Sequence, residues 1–204
     1  MTFRHDKHHR RSIRLRGYDY SRAGAYFVTM CVQNRACLFG DVVDGQMVVN
    51  PLGRIVADEW IKTADIRNEI KLDEWVVMPN HFHGIVWIIH GTPTPGNGRG
   101  TARCRGDRPV APTAGPQPRS LGAMVAGFKS TVTKRINQTR NTPGAGLWQR
   151  NYYEHIIRND DELNHIRQYI IDNPLQWETD RENPNVEAVQ RAATMKKDIE
   201  GVGA

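Results

Sequence analysis

Hydrophobic and polar positions alternate clearly enough along this chain to predict most of its elements. Residues 26–32, YFVTMCV, are rich in β-formers and alternate, which predicts a strand; residues 47–49 predict a short second one. Asn50 followed by Pro51 opens a helix, because proline is preorganised for the first helical position. Leu52, Ile55, Val56, Trp60 and Ile61 then fall near helical spacing. Residues 70–78 and 81–89, IKLDEWVVM and HFHGIVWII, read as two antiparallel strands joined tightly through Met78-Pro79-Asn80. Ser120 caps a second helix through about residue 137, with Leu121, Met124, Val125, Phe128, Val132 and Ile136 on one face. Residues 148–157 are predicted to be extended. Asn159 caps a last helix, with Glu162 placed as in a capping box, and Pro174 stops it at Asn173.

Strand, helix, strand, strand, helix, strand and a further helix is the order of a ferredoxin-like split βαβ sandwich, an α+β fold with an antiparallel sheet and an extra C-terminal helix. Residues 23–178 form the domain on this reading. Residues 1–22 form a basic arm and residues 179–204 a polar tail. Residues 91–118 are read as a flexible insertion, since they hold six of the 11 prolines and six of the 18 glycines without apolar periodicity. Their glycines make no phosphate-binding loop, because no Gly-Lys-Ser/Thr follows.

Charge adds a partner to this picture. The 204 residues carry a net charge of +6, unevenly spread. Arg4, Lys7, Arg10, Arg11, Arg14, Arg16 and Arg22 face only Asp6 and Asp19 in the arm, a pattern suited to a phosphate backbone or to a solvated tail. Tyr18, Tyr20 and Tyr26 lie close behind the arginines, and stacking rings beside guanidinium groups suit unpaired bases. Tyr26 and Phe27 fit better as the start of the first strand. No apolar run is long enough for a membrane span, and no apolar stretch follows the charged start as in a secretory signal. Cys31, Cys37 and Cys104 form no CxxC pair, so reduced thiols in a cytoplasmic protein are expected.

The candidate chemistry lies in two places. In a strand, His81 and His83 share one face, with Phe82 on the other, and two imidazoles so spaced can bind one divalent cation. At the start of a central strand such a site is expected to be open to solvent. On the last helix, Tyr169 and Asn173 are one turn apart on one face, while Leu163, Ile166 and Ile170 line the adjacent face that docks on the sheet. Tyr169 can be a core-edge residue and Asn173 a helix cap. Equally, a tyrosine beside a metal-bound phosphate can be a nucleophile, with Asn173 supplying an oxygen as third ligand beside the imidazoles. Without thiolate ligands, Mg²⁺ or Mn²⁺ suits such a set better than structural zinc.

VVMPNHFHGIVWI resembles the HUH motif (His, bulky hydrophobe, His) of single-strand DNA tyrosine transposases. QYIIDNP is similar to the tyrosine helix of the REP-associated tyrosine transposases, and RLRGYDYSRAGAYFVT and WQRNYYEHIIRNDDEL resemble the same group. The resemblance spans roughly residues 10–178 apart from the insertion, with its motifs in the right order. It implies that His81 and His83 bind the metal, that Tyr169 is the nucleophile and that Asn173 is the third ligand. Insertion-sequence relatives carry Gln at that last place. Arg14, Arg16 and Tyr18 would read a short guide sequence beside a DNA hairpin, and Lys129 on the second helix would contact phosphate or stand in solvent. Tyr152 and Tyr153 compete as nucleophiles but lack a liganding partner one turn on.

The function so implied is metal-dependent cleavage and rejoining of single-stranded hairpin DNA from palindromic repeats, through a 5′-phosphotyrosine, by a monomer or homodimer. Two rivals come from other classes: a non-catalytic nucleic-acid-binding module, such as a domesticated transposase, and a metallohydrolase that uses bound water.

Overall fold

A computed structural model describes residues 18–89 and 116–186. The expectations for Arg14 and Arg16, for most of the insertion and for the tail beyond 186 lie outside the described residues. The elements run β1 (Gly24–Cys31), β2 (Gly40–Val43), β3 (Gln46–Val49), α1 (Pro51–Ile66), β4 (Ile70–Val77), β5 (His81–Ile88), α2 (Leu121–Arg140), β6 (Tyr153–Ile157) and α3 (Asp160–Asp172), followed by a 3₁₀ segment, Asn173–Thr179. Four strands form one antiparallel sheet in the order β4-β5-β1-β6. This is the expected ferredoxin-like α+β arrangement, with α3 added.

Capping residues set the helix starts. Asn50 Oδ1 accepts the N–H groups of Leu52 and Gly53 at 2.9 and 3.0 Å, and Ser120 Oγ accepts that of Ala123 at 3.2 Å. Asn159 Oδ1 accepts from Glu162 N at 2.8 Å, but the Glu162 carboxylate turns to Arg158 N and His155 instead of closing the capping box on Asn159. α2 continues three residues beyond its expected end and stops at Asn141, which adopts the left-handed conformation of a C-cap. Pro174 does end α3, yet the chain keeps turning, because proline is tolerated in the first turn of the 3₁₀ segment. A separate β2–β3 hairpin pairs Val42 with Met47 around Asp44-Gly45, whose φ values of 52° and 73° are those of a tight turn for which glycine is suited.

The two faces of the sheet bury different things. Even-numbered residues of β1 and β5, among them Tyr26, Val28, Met30, Phe82 and Val86, join Trp60 of α1 and Phe128 of α2 in the larger core. Odd-numbered residues Ala25, Phe27 and Ile85 meet Leu163 and Ile170 of α3 in a smaller one. Gly84 lies on the larger-core side, where an added Cβ would stand 2.8 Å from both the Phe82 ring and the Trp60 ring. Arg167 clamps α3 to β4 by donating to both oxygens of Asp73, at 2.8 and 2.7 Å, and Trp87 Nε1 donates to the same carboxylate at 2.9 Å. Among the described residues, no helix is long and apolar enough to cross a membrane.

Candidate active site

β5 begins with His81, opposite Cys31 of β1, and His83 lies opposite Thr29. The alternation that sends Phe82 into the larger core sends both imidazoles to the α3 face. Their rings are 4.6 Å apart. The site is not open to solvent at this point: His81 is 0% and His83 4% exposed. α3 and the 173–183 segment cover the histidines, and the polar chain beyond the helix was not anticipated as a cover.

Asn80 fixes the protonation of His81. Its Nδ2 donates to the carbonyls of Arg35 and Glu182, at 3.0 and 2.6 Å, so its Oδ1 is the atom that faces His81 Nδ1 at 2.9 Å. An amide oxygen only accepts, so Nδ1 carries the proton and Nε2 keeps a lone pair. That Nε2 is buried without a hydrogen-bond partner. His83 Nδ1 lies 2.8 Å from Thr29 Oγ1, and its Nε2 faces the Tyr169 hydroxyl at 3.4 Å. Burial pushes the pKa of both imidazoles down, well down for His83, where His81 adds to the effect. For His81 the charges of Asp180 and Glu182 and the Asn173 side chain oppose that shift. Both rings are therefore neutral near pH 7, the form that binds metals.

α3 brings Tyr169 and Asn173 to this same place, as their one-turn spacing requires. Tyr169 stays 39% exposed, so its ring reaches the cleft from the solvent side while packing edge-on to Phe27 and His83. Burial and then the Asp180 charge raise the phenol above the ordinary tyrosine value; Asn173 works in the opposite direction. Asn173 is 2% exposed, and its Oδ1 has no hydrogen-bond partner. The cleft has a volume of about 1490 Å³ and is also lined by Lys129, Arg150 and Tyr153. Among the described residues no group of three or more His, Cys, Asp or Glu converges as a metal site. The donor set that fits a cation is instead two imidazole nitrogens and one amide oxygen, with two of those three atoms buried and orphaned.

The other expected residues separate into distinct environments. Lys129 is not a solvated lysine: its Nζ donates to the carbonyls of Gln149 and Asn151 at 2.6 and 3.4 Å, and burial lowers its pKa. Tyr18 packs against Tyr20 and Tyr26, with its hydroxyl 3.3 Å from that of Tyr26. Tyr153 packs edge-on to Phe27, whereas Tyr152 packs against the larger core. Two residues at the site were missed, Asn80 and Asp180. The Pro79-Asn80 pair was visible as a turn, but only the fold shows which carbonyls hold its amide. Asp180 Oδ2 lies 3.9 Å from His81 Nε2, and nothing in its local sequence marks it.

No family model matches the chain. It is 39% identical over 177 residues to a protein of Haemophilus influenzae described as an uncharacterized protein, an alignment covering 85% of this chain and 93% of that one. Among solved structures it is similar to a REP-associated tyrosine transposase bound to a REP hairpin, with a TM-score of 0.53 at 20% identity, over 81% of this chain and 73% of the other.

Proposed function

The chain belongs to one family with the Haemophilus influenzae protein and has the fold of the REP-associated tyrosine transposase, and from that premise we propose that it cleaves and rejoins single-stranded hairpin DNA with Tyr169 as nucleophile. One observation carries this reading: the Tyr169 hydroxyl faces His83 beside two buried, unpartnered acceptors, His81 Nε2 and Asn173 Oδ1. Buried lone pairs without donors are costly, and a cation relieves that cost. His81, His83 and Asn173 would hold Mg²⁺ or Mn²⁺, which when bound supplies Lewis-acid stabilisation to phosphoryl oxygens.

The chain's own residues do the rest. The cleft admits a strand from the side on which Tyr169 is exposed, with Arg150 at its wall. The phenol is protonated at rest, since burial raises its pKa. In the cleavage step the Tyr169 oxygen forms a bond to the scissile phosphorus and the bond to the 3′-oxygen breaks. A 5′-phosphotyrosine and a free 3′-hydroxyl result, the phenolic proton being the one the leaving oxygen gains in sum. Attack by another 3′-hydroxyl reverses the step, releases Tyr169 and conserves the phosphodiester without a nucleotide cofactor. Palindromic-repeat hairpins suit the arm, whose arginines Arg14 and Arg16, with Tyr18 behind them, can meet phosphate and unpaired bases. Lys129 adds a cation at the cleft wall for the same backbone.

The test uses labelled single-stranded hairpin oligonucleotides from the flanks of the chain's own gene, with Mn²⁺ or with chelator, beside Tyr169→Phe. A denaturant-resistant protein–DNA adduct that needs Mn²⁺ and disappears in Tyr169→Phe is expected. Tight binding without adduct would leave a binding module, and cleavage that survives Tyr169→Phe would make water the nucleophile.

A further inference from the structure

A further cavity shares a wall with the cleft. We propose that it holds an unpaired nucleotide of the single-stranded DNA, which rests on the reading of the cleft as one for that DNA. The cavity lies along the C-terminal half of α2, against residues 143–150, and has a volume of about 850 Å³. Lys129, Gln149 and Arg150 line both this cavity and the cleft that contains Tyr169. A strand whose phosphate sits at Tyr169 therefore has a continuous wall to follow, and that wall leads here.

The lining has the three parts that a nucleotide needs. Lys129, Lys134 and Arg150 supply positive charge, and among the described residues no Asp or Glu lines the cavity, so a phosphate meets no competing carboxylate. The cleft differs in this respect, since Glu154, Asp180 and Glu182 line it. Leu147 and Trp148, 4% and 8% exposed, contribute apolar surface from the buried side. A hydrated phosphate gains nothing from such a surface, whereas the face of an unstacked base does. Gln138 and Asn141 add exposed side-chain amides, each offering a donor and an acceptor to the edge of a base.

The walls are braced from behind. Gln33 N donates to the Leu147 carbonyl and Gln149 N to that of Cys31, both at 2.8 Å, so the segment around Trp148 is tied to the end of β1. Lys129 Nζ holds the carbonyls of Gln149 and Asn151 against α2. At the other end, Asn137 Nδ2 donates to the Ala145 carbonyl at 2.8 Å, and the Asn137 carbonyl accepts from Thr142 N at 2.9 Å. These bonds fix the turn that crosses the end of α2, where Gly144 and Gly146 present no side chain to fill the space. A wall so held costs little ordering when a nucleotide enters.

The experiment measures, in chelator, the affinity of the full-length protein for a labelled hairpin oligonucleotide with a single-stranded extension, taken from the flanks of the chain's own gene. Each nucleotide of the extension is made abasic in turn, for wild type, the double variant Lys134→Ala/Gln138→Ala, and Arg140→Ala. One position is expected at which loss of the base weakens wild-type binding about tenfold, the scale of one base's contacts. At that position alone, the double variant should reduce the effect by about threefold or more, the non-additivity of groups in contact. Arg140→Ala removes a cation from the same end of α2, outside the cavity, and should keep the full effect. The same abasic effect in wild type and double variant at every position would overturn the proposal. A double variant that weakens a blunt hairpin as much as the extended one would overturn it too, since the cavity rim would then be a phosphate contact for the stem. The adduct with Mn²⁺ is scored separately. Base-sensitive binding without an adduct would keep the nucleotide site and remove Tyr169 as nucleophile, and an adduct without the base effect would do the reverse.

Discussion

Asp73 anchors the helix that carries Tyr169, and its removal has a calculable cost. The carboxylate takes two bonds from the Arg167 guanidinium and one from Trp87 Nε1. Charge-assisted bonds of this kind contribute up to about 1.5–3 kcal/mol each where solvent is excluded. Asp73 is 13% exposed but Arg167 is 37% exposed, so screening reduces the sum, and about 2 kcal/mol for the whole latch is reasonable. For a chain of this size that corresponds to a melting temperature lower by roughly 4–8 °C in Asp73→Ala. If the whole loss falls on docking of α3, the docked-to-undocked ratio drops by at most about 30-fold, which bounds the fall in single-turnover cleavage. Hairpin affinity should not change. The pH dependence has a definite sign. The bonds from Arg167, and then that from Trp87, hold the Asp73 carboxyl well below the usual carboxylate range. The latch is therefore fully present above the unfolded value near about 3.9 and is lost as pH falls through the folded one. Melts of wild type and Asp73→Asn should differ by a constant amount at neutral pH and converge on acidification below about pH 4. A gap that persists or widens at low pH would refute the linkage. Full-rate cleavage in Asp73→Ala would refute the claim that the latch positions Tyr169.

Other outcomes follow from the same geometry. His81→Ala and His83→Ala should each abolish the covalent adduct while a gel-shift assay shows the hairpin still bound; loss of binding would mean that the histidines hold the fold and not the chemistry. Gly84→Ala should cost about 1–3 kcal/mol by overpacking against the fully buried Phe82 and Trp60 rings, read as a lower denaturant midpoint with unchanged Mn²⁺ affinity. An unchanged midpoint would show that those rings can give way.

The four main strands and three helices were legible because each buries one face, and burial imposes a period. Phe82 between His81 and His83 gave the facing of the site directly, and the one-turn spacing of Tyr169 and Asn173 gave its second half. The β2–β3 hairpin was half missed. Val42 and Val43 are too short a run to register alone, although Asp44-Gly45 was a usable turn signal. Solvent access was misjudged for a different reason. The cover over His81 comes from a polar 3₁₀ segment and the turn after it, held by carbonyl and amide bonds that carry no periodicity. Asn80 and Asp180 were invisible for the same cause: each acts through a partner distant in sequence, at separations that only the folded chain sets.

The register of β5 against β1 thereby becomes a functional quantity. Every odd residue of β5 addresses α3 or the site: His81 and His83 supply imidazoles, Ile85 forms the floor beneath Ile170, and Trp87 joins the Asp73–Arg167 latch. Every even residue faces α1 and α2, with Phe82 and Val86 filling the larger core and Gly84 leaving room for Trp60. A slip of one residue would place Phe82 against Tyr169 and two imidazoles among Trp60 and Phe128, an error costly on both faces at once. The histidine pair and the helix bearing Tyr169 are thus held to the same strand, by packing on Ile85 and by the Trp87 bond into the Asp73–Arg167 latch. The separation between the Tyr169 hydroxyl and the imidazoles is set when the chain folds, which is the preorganisation that the proposed phosphoryl transfer needs.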